Sequence, residues 1–479
     1  MTSLIFQFDL QESVRQGQLV PAPEATQSSM QRQEDLGRVQ QIIATNQFKK
    51  LQKLPIHSAH MFFHSSFIKK VEILQIALVK ASTDIVDRWF SDKAAKFTQR
   101  MPLEAREEDL LKWIATSNLV PQYSGRQGMW RPDLLLEQSD CGTVEPVICE
   151  INARFPYNAW LLVASLAKSL QDGLKLDKVK VRTTSDYSAI EESILGLYDL
   201  TKPLHVLMGE SWKGLDVHDV IQLYKEKTNQ NARIIYPHQL QLTPDSNSAT
   251  GYHLSSLTAV GKNEKRRQVT ERVWQVSLEI NQPELGPLDP LILREVARIC
   301  VNDFRSIFLV NDQRFMAIIR EELESLTARS IIDAAEAQML NDAIAPTYLP
   351  SGNTWPAAVT AASKDSLILK ATRGGEGKGH IFGHSRSQEE WDSLLQESAN
   401  TAQLETTYAV QTRVKQIAFD LRNYEEGPID NRHVVGSFNV LNGKYHGLSG
   451  MRSARDFVLS LQPGGGGLVM AAFTNTTEE

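Results

Sequence analysis

The sequence predicts a mixed fold, α+β with an α/β layer, and three observations carry that expectation. The apolar residues Phe67, Val71, Leu74, Leu78, Ala81, Ile85 and Trp89 recur at three- and four-residue steps, the period of a helix that buries one face. His205-Val206-Leu207-Met208, a helical stretch from Val217 to Tyr224, and Arg233-Ile234-Ile235-Tyr236 read as a βαβ unit. Elsewhere, apolar runs paired around glycine-containing turns read as β-hairpins.

Length and composition set the outer limits. At roughly 150 residues per domain, 479 residues leave room for about three globular units. With 42% apolar and 23% charged residues the chain can bury a large core, which excludes low-complexity and collagen-like architectures. A formal charge of -6 gives no general attraction to phosphate backbones or anionic membranes, so neither nucleic acid nor membrane is expected as a partner. Cys141, Cys149 and Cys300 form no CxxC pair and cannot build a disulfide framework. The start of the chain has no basic stretch ahead of an apolar core, and no run of about 18 apolar residues occurs. A cytoplasmic protein is expected.

Residues 10 to 50 are polar and contain Pro21-Ala22-Pro23, which reads as surface loop and amphipathic helix. His57, His60 and His64 would align on a helix, but no acid is spaced to complete a metal site with them. They read as cap or surface residues. The run Lys262 to Arg267 is short, contains Glu264 and lacks interleaved aromatics, so it reads as a solvated connection.

Four stretches carry chemistry. Trp130 to Leu136 and Pro146 to Arg154 flank a turn-rich segment and read as a hairpin. Side chains at i and i+2 of a strand share a face, so Arg131 sits beside Asp133, and Glu150 beside Asn152. Two carboxylates and an amide oxygen are what Mg²⁺ takes when it also holds nucleotide phosphates. A polar hairpin face with an ordinary ion pair is the alternative. In the second stretch, Lys370 ends an apolar run and leads into a loop with Gly374, Gly375, Gly377, Lys378 and Gly379, before a second run from Ile381. Such glycines let backbone N–H groups approach phosphate oxygens, and a strand-end lysine adds a cation. The spacing is neither that of a P-loop nor that of the protein kinases.

The third stretch, Thr407 to Val414, is a short strand suited to presenting Gln411, Thr412, Arg413 and Val414 to an adenine edge. In the fourth, Asn442-Gly443 between apolar runs predicts a type I′ hairpin, with Arg452 emerging near the end of its second arm, able to clamp a transferring phosphoryl group or simply lying on the surface.

The order Arg-x-Asp, Glu-x-Asn, lysine with glycine loop, Gln-containing strand and late arginine resembles the circularly permuted ATP-grasp ligases. The synthetase part of glutathionylspermidine synthetase is the nearer likeness, and eukaryotic glutathione synthetase the more distant one. The resemblance spans about Trp130 to Phe473 and is not carried by residues 1–120, the helical N-terminal region; it implies a metal hairpin and first part of the ATP-grasp core over 121–200, a pre-ATP-grasp-like α/β substrate domain over 201–310 and a nucleotide-binding part over 311–479.

Residue by residue, the resemblance implies Mg²⁺ ligation by Asp133, Glu150 and Asn152, and an arginine near the γ-phosphate at Arg131. It also implies ATP-phosphate binding by Lys370 and the Gly374 to Gly379 loop, adenine contacts from Gln411 to Val414, and stabilisation of the transferred phosphoryl group by Arg452. Two positions depart from the pattern. Asn311-Asp312-Gln313-Arg314 stands where a second phosphate lysine often lies, and Thr412 where a glutamate often follows the hinge glutamine.

The implied reaction joins a carboxylic acid to an amine or amino acid through an acyl phosphate, releasing ADP and phosphate. A small-molecule kinase and a non-catalytic ATP-binding module are the alternatives. Arg154 and Tyr157, just past the metal motif, either face substrate or fix the loop, and a homodimer is compatible with the sequence.

Overall fold

A long strand, Ile429–Leu441, organises the molecule. In the computed structural model the residues described are 5–16, 18–21, 29–46, 55–57, 59–176, 180–210, 214–260, 267–349, 359, 362–373, 379–399, 407–422, 429–455 and 466–474. Among them, the large sheet runs Gly467–Val469, Met451–Ala454, Ile429–Leu441, Met129–Gln138, Val144–Asn152, with Ala418–Arg422 and Lys444–Leu448 also paired to the long strand.

The expected helix is present as Ser65–Asp87. Phe67, Val71, Leu74, Leu78, Ala81 and Ile85 are all buried, in one core with Trp130, Leu134 and Leu136 of the hairpin. Burial of each large apolar side chain contributes about 1.5–3 kcal/mol, so this stripe seats the helix on the sheet. Trp89, just beyond the helix, stacks on Phe97 with centroids 4.9 Å apart.

The three histidines do not share a helix, and two of them correct the expectation of cap or surface roles. His57 is buried and its Nε2 hydrogen-bonds Ser453 Oγ at 2.8 Å. His60 opens the strand His60–Phe63 and is buried, which lowers its imidazole to about 4. That strand lies between Ile5–Phe8 and Ala471–Thr474, so the two ends of the chain cover it. Only His64 caps, its Nδ1 accepting the Ser66 N–H at 3.3 Å.

The βαβ unit appears as His205–Met208, Val217–Thr228 and Arg233–Ile235. The two strands are parallel, and Val276–Glu279 adds a third parallel strand beside His205–Met208. Helix Trp160–Gly173 packs its apolar residues into the same core as Val206, Val217 and Val220.

A small antiparallel sheet runs Thr347–Tyr348, Tyr408–Thr412, Leu367–Ala371, Ile381–Phe382. Trp391 of helix Gln388–Ala399 covers it, packing with Leu367, Leu369 and Val410. Asn442 and Gly443, with φ of 44° and 78°, make the expected hairpin turn. Arg452 does not lie on that hairpin's second arm. Ser449 and Gly450 end the arm, and Arg452 stands on the next strand, opposite Val435 of the long strand. No helix among the described residues is long and apolar enough to cross a membrane.

Candidate active site

In the acidic hairpin Arg131 pairs with Asn152 and Asp133 with Glu150. The twofold alternation of a strand therefore puts these four side chains on one face. Beyond Asp133 the register slips, so that Leu134 pairs with Ile148 and Cys149 becomes the extra residue of a bulge. Its carbonyl accepts the Lys370 Nζ–H at 2.7 Å and, more weakly, the Gln411 Nε2–H at 3.4 Å. Lys370 and Gln411 come from adjacent strands of the small sheet, and both are buried. The two sheets are thus joined by Lys370 and Gln411, both bonded to the same carbonyl.

Asp133 is 1% exposed and held from two sides. Arg131 Nε donates to its Oδ1 at 3.0 Å, and Arg452 Nη2 to its Oδ2 at 2.5 Å. Burial alone would push the carboxyl up, but the Arg131 and Arg452 charges and a hydrogen bond with Glu150 outweigh it and hold the group at about 2. The ion triad joins two strands far apart in sequence, because Ile429–Leu441 lies between the strand carrying Asp133 and the strand carrying Arg452.

Asn152 Nδ2 donates to Glu150 Oε1 at 3.1 Å and to the Arg131 carbonyl at 3.4 Å. The amide nitrogen is thereby turned inward, leaving Oδ1 as the acceptor beside two carboxylates. This donor set of hard oxygens suits a Mg²⁺ ion that takes its remaining ligands from phosphate and water.

The segment Asn311-Asp312-Gln313-Arg314 reaches the same place without a lysine. Asn311 Oδ1 accepts the Ala153 N–H at 2.9 Å, and Gln313 Nε2 donates to Glu150 Oε2 at 3.4 Å. Asp312 and Arg314 pair with each other through two bonds of 2.9 and 2.8 Å. A π-turn over Ser306–Val310 sets up this segment, and its backbone shape has no signature in the sequence. Arg373, just past Lys370, binds Glu107 of helix Ala105–Thr116 at 2.5 Å, tying the N-terminal region to the end of the strand that carries Lys370.

Of the loop expected to cover phosphate, Gly374, Gly375, Gly377 and Lys378 lie outside the described residues. Gly379 has φ of 80°, and the flanking strands pair as the expected hairpin. His380 follows directly. Burial and the nearby Lys370 charge lower its imidazole to about 4, so it is neutral at physiological pH. Its place directly after the glycine loop marks it in the sequence as well.

At the hinge, the Thr412 N–H donates to the Pro346 carbonyl at 2.8 Å and the Arg413 N–H to that of Ser366 at 2.7 Å, while Val414 packs with Val147 and Ala345. Gln411 therefore joins Lys370 at the Cys149 carbonyl, and the three residues after it anchor the small sheet. The Cys149 thiol is raised to about 12 by burial, so its carbonyl, and not its sulfur, serves the site.

A family model described as the AnkG N-terminal domain matches residues 74–309, which include the acidic hairpin. The ATP-grasp enzyme ankG of Aspergillus thermomutatus is 31% identical over 420 residues, covering 82% of this chain and 84% of that one. A glutathione synthetase-like effector from Globodera pallida, solved in its apo form, is similar in fold, with a TM-score of 0.54 at 11% identity over 93% of this chain and 97% of its own. The chain belongs to the family of ATP-grasp enzymes that includes ankG.

Proposed function

We propose that the protein is an ATP-dependent carboxylate–amine ligase that forms an amide through an acyl phosphate and releases ADP and phosphate. One observation carries the reading: Arg131, Asp133, Glu150, Asn152 and Arg452 share a site with Lys370, which reaches it from the opposing sheet. The motif order, with the acidic strands ahead of the glycine loop, supports a permuted member of the fold.

In this reading Asp133, Glu150 and Asn152 hold Mg²⁺, which would neutralise charge on the nucleotide phosphates. Lys370, fixed by the Cys149 carbonyl, orients the phosphate chain. Arg131 and Arg452, already oriented by Asp133, face the phosphoryl group in flight, where its charge spreads over three oxygens. A substrate carboxylate oxygen attacks the γ-phosphorus, and the bond to the β-phosphate oxygen breaks. The amine nitrogen then attacks the acyl carbon, loses a proton, and expels phosphate. The glycine loop would exclude water from the acyl phosphate. The substrates are a small carboxylic acid and an amine or amino acid, and a cytoplasmic location supplies both with ATP.

The test is incubation of the purified chain with ATP, Mg²⁺ and a mixed library of carboxylic acids, amino acids and polyamines, following ADP, phosphate and new masses. A mass equal to acid plus amine minus water, appearing with ADP, is expected. A stable phosphorylated product with no amine requirement would replace the ligase by a kinase. Stabilisation by ATP with no ADP formed from any pair would favour a binding module.

A further inference from the structure

We infer that Arg154 receives a second, non-reacting carboxylate on one of the ligase substrates, so that this substrate is an amino acid or a dicarboxylic acid. The inference rests on the ligase reading for its chemistry and on Arg154 itself for its place.

Arg154 leaves the acidic hairpin two residues after Asn152, and its backbone is pinned. Asn302 Nδ2 donates to its carbonyl at 2.8 Å, and the preceding Ala153 N–H is bound to Asn311. Its guanidinium lies over the Phe155 ring, 4.3 Å from the centroid. The Nε is buried without a hydrogen-bond partner, and no ion pair forms on this side chain among the described residues. Several other buried or half-buried arginines meet a carboxylate: Arg88 that of Glu322, Arg305 that of Asp303, Arg314 that of Asp312 and Arg452 that of Asp133; Arg320 meets two backbone carbonyls instead. Desolvating a guanidinium without a partner is costly, and the cost is recovered when an anion arrives.

The nearest acids are otherwise engaged. Glu279 accepts the N–H groups of Tyr157 at 2.9 Å and Gly214 at 2.8 Å. Glu284 accepts those of Glu210 at 2.8 Å and Asn281 at 3.0 Å. Glu279 ends the strand Val276–Glu279, and Gly209 and Glu210 follow the parallel strand His205–Met208. Arg154 therefore stands at the carboxyl ends of parallel strands, where open α/β sheets bind their ligands, and one turn of chain from the acidic hairpin. Tyr157, by contrast, fixes the loop, its hydroxyl bonded to Tyr198 at 2.5 Å and Ser277 at 2.6 Å.

The flanking acids also choose the occupant. Burial keeps Glu279 protonated near neutral pH, which leaves Glu284 as the charged acid close enough to act on Arg154; beside it a singly charged carboxylate, which matches the planar guanidinium fork, is favoured over a phosphate dianion. That carboxylate belongs either to the acid that is activated or to an amino acid that serves as the amine.

The test measures thermal stabilisation of the full chain by amino acids and short dicarboxylic acids, each against its matched carboxamide, in wild type, Arg154→Ala and Arg154→Lys. At least one carboxylate should bind wild type tighter than its carboxamide by about 10-fold or more, the preference should vanish in Arg154→Ala, and Arg154→Lys should recover part of it. Unchanged melting of the unliganded variants separates this from a folding defect; if Arg154→Ala does not fold, Arg154→Lys against wild type reads the same preference.

Equal binding of carboxylate and carboxamide by wild type, no stabilisation by any carboxylate, or a preference that survives in Arg154→Ala would overturn the assignment. In a parallel turnover assay, acylation of the ligand's amino group assigns the anion to the amine substrate, and amidation of its other carboxyl to the acid substrate. A carboxylate preference with no ADP formed would retain the anion site and reject the ligase.

Discussion

Lys370 Nζ lies 2.7 Å from the carbonyl oxygen of Cys149, the residue that a bulge takes out of the acidic hairpin's pairing. One hydrogen bond thus ties Lys370 on one sheet to the hairpin that carries Asp133 and Glu150 on the other. Lys370→Met should lower ATP affinity at least ~10-fold, about 1.4 kcal/mol. Isothermal titration with ATP and Mg²⁺ checks this, and unchanged affinity would remove Lys370 from the phosphate site.

Asp133 and Glu150 share a face but differ in what they hold. Asp133→Asn leaves Arg131 and Arg452 without their shared counter-charge and should cost about 3–5 kcal/mol of stability, besides ADP formation. Glu150→Gln should also abolish ADP formation while costing only about 1 kcal/mol, since Glu150 is half-buried and binds amides. Denaturant melts of the two variants, run beside turnover, check the contrast. Equal stability would contradict the ion triad.

Glu279 makes stability depend on pH with a definite sign. Burial raises its carboxyl from 4.5 to about 8, against the lowering effect of the Tyr157 and Gly214 N–H groups. Between those values the folded state keeps a proton that the unfolded chain has lost, so this group's contribution falls as pH rises. Glu279→Gln starts lower by about 1–3 kcal/mol, because its NH₂ cannot accept one of the two N–H groups. Its melting curve should fall less than wild type from about pH 5.5 to 8. Parallel curves across that range would refute the buried proton.

Asn442 does two jobs in one turn. It holds φ of 44°, and its Oδ1 accepts the Gly128 N–H at 2.8 Å. Asn442→Gly loses the bond alone, about 1 kcal/mol, whereas Asn442→Ala adds the left-handed backbone penalty of about 1–2 kcal/mol. Thermal melts ranking alanine below glycine, and both below wild type, are expected.

The acidic hairpin, the helix Ser65–Asp87, the βαβ unit and the Asn-Gly turn were legible because each follows from local periodicity or turn chemistry, whereas the hairpin's register and its bulge at Cys149 were not. The same alternation of strand faces made Arg131, Asp133, Glu150 and Asn152 readable as one cluster, and the order of motifs made the ATP-grasp family readable. What the chain could not disclose by itself depends on segments far apart in sequence. The burial of His57 and His60 comes from the carboxyl-terminal strands, Arg452 reaches Asp133 only because one long strand separates their own, and Asn311 and Gln313 arrive through a π-turn. Local pattern is dictated by dihedral preference and the side-chain repeat, both short-range. Which carbonyl Lys370 finds, and which arginine is left without a partner, is decided when distant elements pack together, and no spacing in the sequence encodes that distance.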